Sequence, residues 1–398
     1  MVVKWKQQKT NMIRNISIGI EVGTAKVRAV VGEFVKGEKN PKVIGVGESE
    51  SRGLRHGYVL NAQTAAESIR NAVEMAEKSS GIKIKRAALA VGGVTLLGEQ
   101  SSGEAVVSKA DGEVTSLDID KALEDCENNL TSSNKKILRV IPLSFKLDGR
   151  EILGRPEGSK GTKLEAKALF ITCSSQHFED LMEAITQAGV EPTDVVPSPV
   201  ACVDIALSDR QKMVGAVLVD IGSETVTMSV FENETMTSLR AFSIGSSDIT
   251  NDIALGMKVP LEKAEELKLG SSDVKFSDKK LEEIVEARLS DIFELIENHL
   301  KKIKRNGLLP AGAVFVGGGA NTKGLEELAK KSLQLPARVG STEMFGSART
   351  KLRDPAWFTV LGLLNLEDQD YGYSGKPSGG LWKGVKNAVR SGIKQLMP

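Results

Sequence analysis

The stretch Ile18-Gly19-Ile20-Glu21-Val22-Gly23-Thr24-Ala25-Lys26-Val27 returns in looser form, roughly half the chain later, as Leu218-Val219-Asp220-Ile221-Gly222-Ser223-Glu224-Thr225-Val226. Each copy is an apolar strand, an acid, a glycine with small polar neighbours, and a second apolar strand. Two such turns facing each other across a cleft can hold a nucleotide's phosphates on backbone N–H groups, with Glu21 and Asp220 near a metal ion. One such turn is common and uninformative. Two in register imply a two-lobed phosphate clamp.

At 398 residues the chain exceeds the usual size of one hydrophobic core, so two or more domains are expected. A hydrophobic content of 40% with 26% charged residues is that of a soluble globular protein. The formal net charge of +1 supplies no excess of cations for nucleic acid, and 4% aromatics supply few stacking platforms, so no nucleic-acid partner is expected. Cys126, Cys173 and Cys202 are too few and too scattered for a disulfide framework, which suits a reducing cytosol. His56, His177 and His299 lack metal-ligand spacing. The leader 1–14 is basic (Lys4, Lys6, Lys9, Arg14) but has no apolar signal-peptide core. No window approaches the ~20 apolar residues that cross a bilayer. The expectation is a protein neither secreted nor membrane-spanning.

Periodicity predicts strands at Ile16–Val22, Val27–Phe34 and Val43–Glu48, a helix over Asn61–Lys78, and a buried strand Ala87–Val91 ending at Gly92-Gly93. From Gly98 to Gly161 the character changes. A short acidic-start helix (Asp118–Asn128), strand material around Pro142 (Ile137–Leu147) and a Gly-rich loop read as an inserted subdomain. Ala166–Thr172 is expected to resume the first lobe as a buried strand, followed by helices at His177–Ala188 and Val200–Leu207. The second lobe reads as strands Ala216–Asp220, Val226–Phe231 and Leu239–Ile244, then helices Ile249–Leu255, Leu261–Lys268 and Lys279–Lys304. Strand Val314–Val316 runs into Gly317-Gly318-Gly319-Ala320 and a helix Gly324–Leu333, and an apolar helix Ala356–Leu366 closes the lobe. The triplet predicts bare backbone and a helix N-terminus against a ligand, the adenosine and its α-phosphate.

The tail is a separate signal. Residues 367–380 read as a flexible linker. Beyond it, Leu381, Trp382, Val385, Val389, Ile393 and Leu396 fall within a band of roughly 120° on a helical wheel. Lys383, Lys386, Arg390 and Lys394 line an adjoining stripe, and no acid follows Asp370. An apolar face with a cationic flank suits a helix lying in an anionic leaflet.

These stations stand in the order of the actin-like ATPase superfamily, and the chain resembles the FtsA family, the actin-like bacterial division proteins that tether FtsZ to the membrane. The resemblance covers nearly the whole chain. It rests on residues 18–27, on Ser51-Arg52-Gly53-Leu54-Arg55-His56-Gly57, on Arg139-Val140-Ile141-Pro142 and Leu164-Glu165-Ala166, and on Ile249-Thr250-Asn251-Asp252-Ile253-Ala254 and Ala264-Glu265-Glu266-Leu267-Lys268. It implies an α/β, two-lobed actin-like ATPase fold with a small α+β subdomain inserted in the first lobe and a C-terminal amphipathic helix on a linker. The expected division is a first lobe at 15–97 and 162–197, an insert at 98–161, a second lobe at 198–246 and 311–366, a helical subdomain at 247–310, and a membrane-targeting helix at 381–398.

By resemblance, Gly23, Thr24, Ala25 and Lys26 form the first phosphate loop and Gly222, Ser223, Glu224 and Thr225 the second. Glu21 and Asp220 sit near magnesium through water, Gly317, Gly318, Gly319 and Ala320 face the adenosine, and Glu265 and Lys268 lie near its base and ribose. The implied cofactors are ATP and Mg2+. The implied partners are the C-terminal peptide of FtsZ, further copies in a filament, and the anionic inner face of the cell membrane at the division site. The second loop departs from the family pattern Asp-Ile-Gly-Gly-Gly-Thr, which is followed two residues on by Asp. Ser223 and Glu224 replace glycines, and Thr227 stands where the Asp would be. A Cβ at each glycine position restricts the loop, and an added anion faces an anionic ligand. Hydrolysis, which needs an oriented water, is thereby less expected than binding. A PilM-like adaptor of the type IV pilus machinery shares the fold and the insert, but would not be expected to carry its own amphipathic anchor. A small-molecule kinase would need an acceptor-activating base, and no candidate stands out.

Overall fold

The computed structural model describes residues 15–38, 40–130, 134–271, 277–342 and 350–368. The leader, the linker from residue 369 onward and the tail residues Leu381, Trp382, Lys383, Val385, Lys386, Val389, Arg390, Ile393, Lys394 and Leu396 lie outside that range.

In the first lobe the apolar runs around the first turn form β1 (Asn15–Val22) and β2 (Lys26–Phe34), with β3 (Lys42–Glu50) completing an antiparallel meander. A small hairpin, β4 (Leu54–Arg55) and β5 (Tyr58–Val59), follows. Helix α1 (Ala62–Ser80) starts where the Asn61 side chain accepts from Thr64 N and stops at Gly81, whose φ of 72° only glycine adopts freely. Its small buried face (Ala65, Ala72, Ala76) lets it lie close on β3. Strand β6 (Arg86–Val91) pairs parallel with β1.

The insert begins with β7 (Leu97–Val106), then α2 (Ser116–Asn128), β8 (Lys135–Leu147), β9 (Arg150–Ile152) and β10 (Lys163–Ser174). The boundary expected at residue 162 does not exist in the sheet. β10 pairs along its whole length with β7 and β8 rather than with the first-lobe strands. The period of two explains why it reads as first lobe. Leu164, Ala166, Ala168 and Phe170 point into the insert's own core under α2, whereas Leu169, Ile171 and Cys173 point into the main core. From Ala168 to Cys173 the strand is buried on both faces, so burial alone cannot assign it.

The chain returns to the first lobe through α3 (Ser175–Gln187) and β11 (Glu191–Pro197), giving the sheet order β11-β6-β1-β2-β3. Helices α4 (Ser198–Ala206) and α5 (Asp209–Val214) lead to the second lobe. There β12 (Ala216–Ile221), β13 (Val226–Glu232) and β14 (Thr235–Phe242) repeat the meander. Helices α6 (Ser246–Met257), α7 (Leu261–Lys268) and α8 (Asp278–Lys302) form the helical region. Parallel strands β15 (Ala313–Val316) and β16 (Ala337–Val339) flank α9 (Leu325–Leu333). The order β16-β15-β12-β13-β14 matches β11-β6-β1-β2-β3 strand for strand, so the repeat seen in two turns extends to both sheets. A single pairing, Arg240 with Leu97, joins β14 to the insert's β7.

The closing apolar helix is broken into a 3₁₀ turn (Pro355–Trp357), α10 (Phe358–Gly362) and a second 3₁₀ segment reaching Asp368, two residues into the expected linker. α10 packs on α4 with no room for a side chain at Gly362, where a Cβ would run into the Ala201 carbonyl. The pair sits beneath both lobes. Val217, Val219 and Ile221 point to the helical face of β12, while Ala216 and Leu218 point toward the core shared with α4 and α10.

Candidate functional site

The equivalent ends of β1 and β12 converge on a cleft of about 400 Å³. Both turns are built alike. Gly23 N donates to Lys26 O at 3.1 Å, and Gly222 N donates to Thr225 O at 2.8 Å. Among the described residues, the next two amides of each turn, Thr24 and Ala25, Ser223 and Glu224, donate to no carbonyl. Such amides are what an anionic ligand needs. The second turn is further pinned by α6, whose first amides, Ser246 and Ser247, donate to the Gly222 and Ser223 carbonyls at 2.9 and 2.8 Å.

The expected site residues Glu21, Gly23, Thr24, Ala25, Lys26, Asp220, Gly222, Ser223, Thr225, Glu265, Lys268, Gly317, Gly318 and Gly319 all line this cleft. Two do not. Ala320 is buried behind the triplet, because Gly318–Asn321 coils into a 3₁₀ turn and α9 starts only at Leu325. The helix itself starts within one residue of the expected Gly324, but its first residues do not line the cleft, so its N-terminus does not stand against the ligand site as expected. Within the triplet the glycines differ. At Gly317 (φ 83°) a Cβ would lie 2.6 Å from the Ile221 carbonyl and against Asp220, while at Gly318 it would meet nothing.

Glu224 is the second exception. Its carboxylate turns out of the cleft and accepts from His56 N at 2.6 Å, so the added anion does not oppose a ligand's charge. Lys26 lines the cleft with no ion pair among the described residues. On the opposite side Lys268 is held by Glu265 at 2.7 Å and by the Thr250 hydroxyl at 2.8 Å, and Thr250 donates to Glu265 at 2.5 Å. This triad ties α7 to α6 at the cleft wall.

Burial pushes the Glu21 carboxyl up to about 7, with Arg28 opposing the shift and the Asp220 charge adding to it. Burial likewise pushes Asp220 up to about 6, again opposed by Arg28. Glu21 Oε2 is buried without a hydrogen bond, and its nearest cation, Arg28 Nη1, is 3.7 Å away. Two desolvated carboxylates, one oxygen unsatisfied, form a place that a divalent cation would neutralise. Among the described residues no third acid or histidine joins them, so direct protein ligation is sparse and water would complete the shell.

Sequence reasoning missed Arg28. It stands opposite Glu21 in the β1–β2 register, lines the cleft, donates to Glu48 at 3.0 Å and lies 5.5 Å from the Trp357 ring centre. Burial works to raise Glu48, but bonds from Lys351 and Arg28 hold it below the usual carboxylate range. An arginine inside an apolar strand was the available signal, since such a charge is rarely buried without partners. Also missed were Gly57, Gly92 and Gly93, whose bare backbone floors the cleft.

Two lobes of duplicated topology, closing on a cleft with paired hairpin turns and paired acids, define the actin-like ATPase fold. Among solved structures, a type IV pilus PilM–PilN complex superposes with a TM-score of 0.66 at 16% identity, covering 88% of this chain and 98% of that one. The ethanolamine utilization protein EutJ of Carboxydothermus hydrogenoformans gives a TM-score of 0.53 at 17% identity, covering 89% and 91%. Within this fold the sequence is more specific. The family described as cell division protein FtsA matches residues 217–362, and the SHS2 domain inserted in FtsA matches residues 93–172. Relatives described as cell division protein FtsA include that of Pseudomonas aeruginosa, 28% identical over 91% of this chain and 92% of its own, and that of Bacillus subtilis, 29% identical over 91% and 86%. That of Escherichia coli K12 is 25% identical over 96% and 97%. The chain belongs to the FtsA family of cell-division proteins. The insert match supports placing the strand β10, up to residue 172, with the inserted subdomain.

Proposed function

We propose that this protein binds ATP with Mg2+ in the cleft, assembles into filaments on the inner face of the cell membrane, and tethers FtsZ filaments there through the amphipathic helix 381–398. The observation that carries the nucleotide part is the pair of matched turns, whose Thr24, Ala25 and Ser223 line one cleft with amides that donate to no carbonyl, beside two desolvated acids. Gly23 to Lys26 and Gly222 to Thr225 would hold the phosphates, with Arg28 as a buried cation beside them. Glu21 and Asp220 would hold the metal through water, which would supply charge neutralisation. Gly317, Gly318 and Gly319 would face the adenosine, and Glu265 with Lys268 would border its base and ribose. At the second turn Thr227 stands where the family pattern has an Asp, so at most a weak ATPase activity is expected and the protein works chiefly by holding.

Membrane attachment rests on the tail's sequence pattern. Among the described residues no helix is long and apolar enough to cross a membrane. A single amphipathic helix binds weakly, so several on one filament would gain by avidity. The FtsZ-tethering reading is favoured over a pilus adaptor because the relatives of like length carry the FtsA description, whereas the PilM likeness is one of fold.

The test is pelleting with anionic liposomes, with and without ATP, using the full chain and a chain ending at residue 380. Pelleting that needs both ATP and the tail supports the proposal. Equal pelleting of the truncated chain overturns the tether, and failure of the full chain to bind ATP overturns the cleft assignment.

A further inference from the structure

The hairpin β4–β5 has a role that nucleotide binding alone does not use. Its tip, His56-Gly57, offers two adjacent amides to the two different turns. Gly57 N donates to Thr24 Oγ1 at 3.0 Å in the first lobe, and His56 N donates to Glu224 Oε2 at 2.6 Å in the second. The His56 ring adds a contact of 3.1 Å between Nδ1 and the Glu224 carbonyl oxygen. One residue step, about 3.8 Å between Cα atoms, thus sets the spacing of two turns from opposite lobes.

The tip is itself rigid. His56 and Gly57 both have positive φ, 49° and 81°, the conformation of a tight hairpin turn. Gly57 lies against Gly93 with no room for a side chain on either, because a Cβ on Gly93 would come within 2.9 Å of the His177 ring. Tyr58 meets that ring edge-on at 5.1 Å. The tip is therefore fixed to the first lobe by packing, and among the described residues its polar bonds to the second lobe run through Glu224. The FtsA-like loop pattern that this turn resembles has a glycine at this position, and Glu224 is where this turn departs from it.

We infer that Glu224 is a positioning residue that latches the two lobes at the His56-Gly57 tip and slows ligand exchange from the cleft. Opening the cleft requires breaking the His56–Glu224 bonds, while the Thr24 bond and the Gly57–Gly93 contact stay with the first lobe. The inference rests on the nucleotide reading for its kinetic consequence, but the latch itself can be read without ligand.

The experiment uses the full chain and compares Glu224→Gly with Glu224→Gln. A charge-assisted hydrogen bond is lost in the first, so release of a fluorescent ATP analogue should quicken about tenfold. Gln keeps an oxygen that accepts from His56 N and should restore slow release. Glu224→Met, which fills similar space without that acceptor, should release as fast as Glu224→Gly; slow release in Glu224→Met would make the role steric and overturn the latch. Without nucleotide, amide hydrogen exchange should quicken at His56 in Glu224→Gly and stay slow at Gly57, and spin labels on the two lobes should move apart. If the analogue binds and Glu224→Gly changes neither release nor lobe spacing, the latch is overturned. If the wild-type chain binds no analogue, the nucleotide reading falls, and exchange with lobe spacing alone decide the latch, an unchanged spacing overturning it.

Discussion

The two turns share one frame and are stabilised by different means. The first is balanced by charge. Arg28, opposite Glu21, reaches Glu48 and lies on Trp357, and Lys351 reaches the same Glu48 from outside. The second is balanced by backbone. At the matching register position, opposite Asp220, stands Thr227, and the turn hangs instead on the first amides of α6. One arginine therefore compensates acids from both lobes, which makes the first lobe the electrostatic half of the cleft and the second the rigid half.

The strongest way to break that contrast is Arg28→Ala. It leaves Glu21, Asp220 and Glu48 without their shared cation, and removing one partner of a buried charged cluster costs about 3 kcal/mol. Urea unfolding at pH 7.5 should show this loss. A loss under ~1 kcal/mol would mean that solvent in the open cleft already neutralises the acids.

Next in size is the acid pair itself. Glu21 has a folded pKa of about 7 against an ordinary 4.5, and Asp220 about 6 against 3.8, so each binds its proton more tightly in the folded state. Stability of the ligand-free protein from this site must then fall as pH rises, through 4.5 to about 7 for Glu21 and 3.8 to about 6 for Asp220. Glu21→Gln removes the larger part of that slope. The Glu21 side chain keeps 17% of its surface open, which tempers the penalty to on the order of 2 kcal/mol gained at pH 8 with little change at pH 4.5. Denaturation midpoints of wild type and variant at the two pH values give the comparison. Parallel profiles would show that the acids are already compensated.

The glycines sharpen the contrast at the backbone. A Cβ on Gly23 would sit 2.8 Å from the Lys26 carbonyl, and one on Gly222 would sit 3.1 Å from the Thr225 carbonyl. Gly23→Ala should cost about 2 kcal/mol and Gly222→Ala about 1 kcal/mol, since the first forces the main chain to move further than the second. Thermal unfolding of both variants checks the order, and a reversal would place the tighter turn in the second lobe.

How far the sequence carried these points depends on what kind of contact makes them. Glu21, Asp220 and the glycines announce themselves because a turn is local chemistry, and the duplicated meanders follow from apolar runs on either side. The insert's edge was misplaced because β10 alternates between two cores, and alternation says that both faces are covered without saying by what. Arg28 and the His56-Gly57 tip were illegible for another reason. Their partners, Glu48, Trp357, Thr24 and Glu224, are brought near by the fold, and Glu224 read as a misplaced anion until His56 supplied its donor. The triplet coils into a 3₁₀ turn beside a bond from Gly317 N to the Pro355 carbonyl at 3.2 Å, again a long-range contact.

The smallest effect is expected at Thr227, and it is the control for Arg28. The two positions are related by the repeat, so a frame that simply needs filling would respond alike to losing either side chain. Thr227 is only 5% exposed and lines the cleft, yet among the described residues its hydroxyl makes no side-chain bond to either acid. Thr227→Val keeps its shape and β-branching while removing the hydroxyl, so the change in unfolding free energy should stay within about 0.5 kcal/mol. Urea unfolding run beside Arg28→Ala measures both. A cost at Thr227 approaching that at Arg28 would mean that the second turn carries a polar network of its own, and the division into an electrostatic half and a rigid half would no longer hold.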